Sequence, residues 1–241
     1  MLDSIGFLAA AMIGTQKLSN QDILNDELAR SRHALTYLKQ KIGNDAMREL
    51  LRDDLLTMTA RVRDWVKASA GAWQTGAVEL LVPGPSASGF RQWYANAMSE
   101  SWEVELRAGH PEHFINHPVS DSIEVIENVG ETELPWHIFY RRLAEEAEVP
   151  SAWDQRFPVH FAAEIVDAEG TRVGYSMREF HDDKDGLHMK LTSHLPPQRR
   201  LNCCNGTCTT SALNTVTGRA SPTKKYSCPF VRQQQPTSER G

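Results

Sequence analysis

Residues 158–195, PVHFAAEIVDAEGTRVGYSMREFHDDKDGLHMKLTSHL, decide the fold. Apolar and polar side chains alternate with period two, and Ala168-Glu169-Gly170 and Asp182 to Gly186 break the alternation as turns. That is the pattern of half-buried strands joined by hairpins. It predicts strands at 158–167, 171–181 and 186–195, and the same grammar upstream adds 122–129 and 134–142. The two connections among the last three strands are too short for a crossover helix, so these strands run antiparallel. Alternation predicts an apolar face from Val159, Phe161, Ala163 and Ile165, from Val173, Tyr175 and Met177, and from Leu187, Met189, Leu191 and Leu195. His160, Glu164, Arg172, Arg178, His188, Lys190 and His194 fall on the opposite parity, which suits a wet face.

The region before the sheet reads as helical. Ser19 or Asn20 caps a segment with Ile23, Leu24, Leu28, Leu35 and Leu38 in a broad stripe. Gly43-Asn44 ends it. Met47, Leu50, Leu51, Leu55, Met58, Val62, Trp65 and Val66 then recur at three- and four-residue steps. The pair is expected to form an amphipathic helical hairpin with its stripe buried against the rest of the domain. Ala77 to Val82 is a short apolar run ended by Pro83-Gly84-Pro85, after which Ser86 caps a helix carrying Phe90, Trp93, Tyr94, Ala97 and Met98. The expected architecture is α+β. Residues 19–197 form a single domain, helical over 19–106 and sheet over 122–196. Residues 1–18 form an apolar leader or first helix, and residues 198–241 a poorly packed tail.

Composition separates that tail from the body. The chain has 241 residues and a net charge of −5, but residues 201–241 carry +4 and the preceding 200 carry −9. An acidic body offers no footprint for nucleic acid, whose binders gain affinity by neutralising phosphates. The longest apolar run near the start, Ile5 to Ile13, is too short to span a bilayer. No basic residue precedes it as a secretory signal would require. All four cysteines (Cys203, Cys204, Cys208 and Cys228) lie in the tail, and the cysteine-free body fits a reducing, cytoplasmic setting. The tail itself is rich in Ser, Thr, Cys and Gln and lacks hydrophobic periodicity.

Chemistry concentrates in Gly109-His110-Pro111-Glu112-His113-Phe114-Ile115-Asn116-His117-Pro118. Pro111 suits the first position of a short helix, on which His113 and His117 would stand one turn apart, a spacing that suits a metal ion. The competing expectation is that His-Pro pairs punctuate a helix-to-strand connection. Glu127 shares parity with Ile123, Val125 and Val129, so it falls on an apolar face, where a carboxylate needs a partner. Glu179 shares parity with Val173, Tyr175 and Met177, with His181 two residues on. The covered side is thus expected to hold two carboxylates and a histidine in an aliphatic and aromatic cavity, which describes a small-molecule pocket. Strand-end exposure of Glu179, and a salt bridge from Glu127 to Arg141, are the alternatives.

His113-Phe114-Ile115-Asn116, the acidic strand from Ile123 to Gly130 and the long hairpin ending His194-Leu195-Pro196 together resemble the diacetylphloroglucinol hydrolase family over roughly residues 90–196. The resemblance implies a START-like helix-grip domain behind a helical N-terminal region. It also implies zinc-dependent cleavage of a carbon–carbon bond next to an aryl ketone, as in secondary metabolism. His113 and Glu127 would then be zinc ligands and Asn116 a substrate hydrogen-bond donor. The family's C-terminal helix with its His-x3-Glu ligands has no counterpart after Pro197. One hypothesis is that an altered reading frame or retained intron supplies residues 201–241; a correctly spliced message encoding the same residues would refute it.

The leading expectation is therefore a metal-dependent hydrolase of an aromatic or polyketide-like carbonyl compound, inactive if the missing helix is essential. In it Glu179 would move a proton as the catalytic carboxylate. The alternatives are a non-catalytic carrier of a small apolar or aromatic ligand and a helical protein-interaction module built on residues 20–68.

Overall fold

The computed structural model describes residues 11–197, apart from 101, 109, 131 and 145–147. Residues 1–10 and the tail from 198, with the expectations stated for them, lie outside the described residues. Where a leader or first helix was expected, residues 11–18 instead form a small antiparallel hairpin of β1 (Ala11–Ile13) and β2 (Gln16–Leu18). Its turn passes through Gly14 at φ 59°.

Ser19 caps α1 (Asn20–Leu50) through a capping box: its hydroxyl accepts from the Asp22 N–H, and the Asp22 carboxylate accepts from the Ser19 N–H. The expected break at Gly43 is present. Gly43 sits at φ 73° and ψ 168°, a conformation that glycine adopts without a Cβ penalty, and it divides α1 into two helical pieces. The Asn44 side chain beside it donates to Glu103 Oε2 and accepts from Arg107 Nη1. Residues 44–50 run on through Leu51 into α2 (Arg52–Ser69), since Leu55 N–H still donates to Leu51 O at 2.9 Å.

The expected helical hairpin is not formed: α1 meets β2, α4 (Glu103–Ala108) and β4 (His113–Val119) rather than lying along α2. Much of the part of the stripe that lies on α1 is consequently on the surface. Leu24, Leu28 and Leu38 are each more than half exposed, whereas Met47, Leu55, Met58 and Val62 are buried.

Two strands of the large sheet were also not anticipated. The apolar run near residue 80 is strand β3 (Gln74–Val82), and residues predicted as a short helix form β4 (His113–Val119). The remaining strands, β5 (Ser122–Glu127), β6 (Trp136–Arg142), β7 (Val159–Asp167), β8 (Arg172–Asp183) and β9 (Gly186–Leu195), fall where alternation put them. All seven form one antiparallel sheet in the order β3-β9-β8-β7-β6-β5-β4. Two helices, α3 (Ala87–Ser99) and α4 (Glu103–Ala108), connect β3 to β4. The architecture is α+β, and the sheet's first strand in sequence, β3, pairs with its last, β9. No described helix is long and apolar enough to cross a membrane.

Residues opposite one another in adjacent strands share a face, so the register assigns sides. Val125, Ile138 and Ile165 belong to one face, together with Val159, Phe180 and Met189. The stripe of α2 lies on it: Met58 and Val62 pack against Val125, Ile138, Ile165, Val173 and Leu195. Farther along, Phe90 and Trp93 of α3 pack against Phe180, Leu187 and Met189. Burying each such side chain contributes about 1.5–3 kcal/mol. Ser86 caps α3 as expected, accepting from Gly89 N–H at 3.1 Å, and Ala87 N–H donates to Asp182 Oδ1 at 2.6 Å, which ties the helix start to β8.

The second face is not simply wet. The segment between β6 and β7 lies over part of it, with Trp153 stacked on His160 at 4.3 Å and Phe157 fully buried against His181 and His188. His194, expected in water, is 1% exposed. Thr75 Oγ1 lies 2.9 Å from its Nδ1 and Ser151 Oγ 3.2 Å from its Nε2, so both ring nitrogens have hydroxyl partners.

Candidate functional site

The site begins with an irregularity in β4. His113 pairs with Glu127 and Ile115 with Ile126, so Phe114 is an extra residue in the ladder. Such a bulge reverses the parity of the residues beyond it. His113 and Asn116 therefore stand on the α2 face with Glu127, and His117 on the other. The expected convergence of His113 and His117 does not occur; His117 Nδ1 instead meets Glu103 Oε1 of α4.

His113 Nε2–H donates to Glu127 Oε2 at 2.5 Å, with His113 1% and Glu127 5% exposed. The Tyr140 hydroxyl donates to Glu127 Oε1 at 3.4 Å. Burial, and after it the Glu127 charge, pushes the Tyr140 pKa well up, so the phenol remains a donor through the physiological range. Lys39 Nζ reaches in from α1 and donates to the carbonyls of Pro111 and His113, each at 2.5 Å, fixing the backbone that carries the imidazole. Burial, then the nearby Arg107, lowers Lys39 to about 8, which leaves it charged at neutral pH. The His110 ring lies 5.5 Å from that of His113; burial first and His113 second lower His110 to about 4, so it is neutral. Asn116 is 9% exposed and its Oδ1 is buried with no hydrogen-bond partner among the described residues.

A carboxylate that accepts from an imidazole and a phenol can orient the ring and move a proton to or from a bound molecule. An unpartnered buried amide oxygen can accept from a ligand hydroxyl. Zinc fits this donor set poorly. His113 and Glu127 are hydrogen-bonded to one another, and they supply two protein donors where a catalytic zinc takes three.

Glu179, anticipated on the same covered side, lies on the opposite face: its partner across β7 is His160, and across β9 Lys190. The local parity with Tyr175 and Met177 was right, but those residues also belong to the second face. Glu179 is 1% exposed, accepts from Asp154 N–H at 2.6 Å and lies 3.5 Å from Lys190 Nζ. Asp154 in turn binds Arg156 and Lys190. Glu179 thus fastens the β6–β7 segment to the sheet. Glu127 has no ion pair with Arg141 among those described; its partners are His113 and Tyr140.

Sequence reading missed a cluster at the β8–β9 hairpin, where ligand atoms of His181, Asp183 and His188 lie within 4.8 Å of one another. Hairpin pairing supplies the signal in retrospect: His181 and His188 are cross-strand partners, and Asp183 shares their face. It missed Lys39 and Tyr140 as well, which join the site only through tertiary packing.

No family model matches the chain, and neither does any curated protein. Among solved structures, it is similar to an uncharacterised protein from Rhizobium leguminosarum, at 15% identity and a TM-score of 0.37, over 61% of this chain and 94% of that one. Protein Ms6760 from Mycobacterium smegmatis is similar at 12% identity and a TM-score of 0.33, over 60% and 84% respectively.

Proposed function

We propose that this chain binds a small aromatic or polyketide-like carbonyl compound on the helix-covered face of its sheet and acts on it as a hydrolase. His113, Glu127 and Tyr140 are the proton-handling groups and Asn116 the hydrogen-bonding group. The observation that supports this reading is the buried His113–Glu127 hydrogen bond on a largely apolar face, since an ionisable pair is costly to bury. Perturbed or paired titratable groups of this kind cluster at functional sites. The cysteine-free body and acidic charge favour a cytoplasmic protein without nucleic-acid partners.

The test is a panel of aryl ketones bearing ring hydroxyls, scored for thermal stabilisation and for release of the acyl group. Stabilisation arises because such ligands bind only the native state. Turnover lost in Glu127→Gln supports the hydrolase. Stabilisation without turnover favours the carrier, and absence of both removes the proposal.

Metal dependence is a second reading, favoured only by the meeting of a histidine and a carboxylate. It requires the His113–Glu127 hydrogen bond to open and a further donor to arrive. Elemental analysis of purified protein tests it: zinc lost in His113→Ala but retained in His188→Ala places the ion at the first site. The reverse result places it on the β8–β9 hairpin.

A further inference from the structure

Arg32, Thr36, Lys39 and Gln40 recur at helical spacing along one side of α1, so they line a single surface. Together with Arg107 of α4 and His110 they wall a cleft whose lining contains three cations and no acidic residue.

The charges there are poorly compensated from within. Lys39 is 5% exposed, and its ammonium is met by the Pro111 and His113 carbonyls and by the Phe114 ring 5.3 Å away, not by a carboxylate. Arg32 Nε is buried without a hydrogen-bond partner, and Arg32 has no ion pair among the described residues. Arg107 is satisfied at its rear by Glu103 and Asn44. The acids that act on this wall are the exposed Glu112, whose carboxylate is 4.0 Å from the neutral His110 ring and whose charge reaches Lys39, and the buried Glu127, whose charge reaches His110. Buried cations are normally paired. A cleft that sets Lys39 and Arg32, neither of them paired with a carboxylate among the described residues, beside Arg107, with Thr36 and Gln40 as additional donors, presents the complement of an oxyanion.

We infer that this cleft is an anion-binding site that takes the carboxylate or phosphate group of a small molecule between Arg32, Lys39 and Arg107. Lys39 also holds the His113 backbone, so an anion drawn to it sits directly behind the His113–Glu127 pair.

The full chain is titrated with inorganic phosphate and with benzoate at fixed ionic strength, against sodium chloride as control. Affinity is read by calorimetry and stabilisation by thermal melting. Binding of either oxyanion, weakened about tenfold in Arg32→Gln, supports the site, as expected for loss of one charged hydrogen bond; which of the two binds identifies the group. Lys39→Met should abolish binding. Because Lys39 is buried and that variant can fail to fold, the partly exposed Arg32 carries the decision. The inference is overturned if neither oxyanion exceeds chloride, or if folded Arg32→Gln binds as tightly as the parent. It stands apart from the proposed reaction: Glu127→Gln should bind the anion no more weakly than the parent even where turnover is lost.

Discussion

Each face of the sheet buries a glutamate, and the two have opposite chemistry around them. On the helix-covered face Glu127 meets an imidazole and a phenol, groups that exchange protons. On the face covered by the β6–β7 segment Glu179 meets a backbone N–H and an ammonium, which hold a charge in place. Both are nearly inaccessible. Burial of a carboxylate therefore does not mark a reactive centre by itself; the chemistry of the partner separates a site from a clasp.

The largest expected effect tests what makes the first face. Met58 is 0% exposed beneath Val125 and Ile138. Met58→Ala should cost about 2–5 kcal/mol, read as a lower urea midpoint. Glu179→Ala should cost about 2–3 kcal/mol by leaving the Asp154 N–H without its acceptor and Lys190 with Asp154 as its remaining carboxylate. It should also open the β6–β7 segment to limited proteolysis. Glu127→Gln keeps the size of the side chain and a hydrogen-bond acceptor, so its stability cost should be within about 1 kcal/mol. A cost as large as that of Glu179→Ala would erase the distinction between the two carboxylates.

A third glutamate sharpens the comparison through pH. Burial alone would raise Glu124, but hydrogen bonds from Arg48 and His137 outweigh it and bring its pKa down from 4.5 to about 2. A carboxylate with a depressed folded-state pKa contributes stability above its unfolded value and loses that contribution as pH falls. Stability should accordingly decline between about pH 4.5 and 2, and Glu124→Gln should flatten that part of the profile measured by urea denaturation. The smallest effect is expected on α1, where Leu24 is 57% exposed. Leu24→Lys should change stability by no more than about 0.5 kcal/mol.

The sheet was legible because alternation is local: five strands and the Gly43 break follow from residue patterns alone. So was the Ser86 cap. Strand β4 was not, because its histidines and prolines suit a helix start, and only pairing with β5 reveals the extra residue at Phe114. Strand β3 was hidden by its distance in sequence from β9, its neighbour across the ladder. Parity within β8 placed Glu179 beside Met177, yet alternation cannot say which face of one strand matches which face of the next. That link depends on register, so two correctly read strands gave a wrongly joined pocket. Glu127 stood out because a carboxylate on an apolar parity is conspicuous, whereas His113 was singled out from a histidine cluster read at helical spacing, which the strand does not keep. The exposed stripe of α1 marks the limit in the other direction, since helical periodicity describes a face without specifying what covers it.

The most direct test of the account compares the two buried glutamates in one binding experiment. Glu127→Gln and Glu179→Gln are melted beside the parent chain with and without a hydroxylated aryl ketone that stabilises the parent. The account predicts that Glu179→Gln keeps the ligand-induced rise in Tm from a lower baseline, while Glu127→Gln keeps its baseline and loses the rise. A ligand response retained in Glu127→Gln and lost in Glu179→Gln would contradict it.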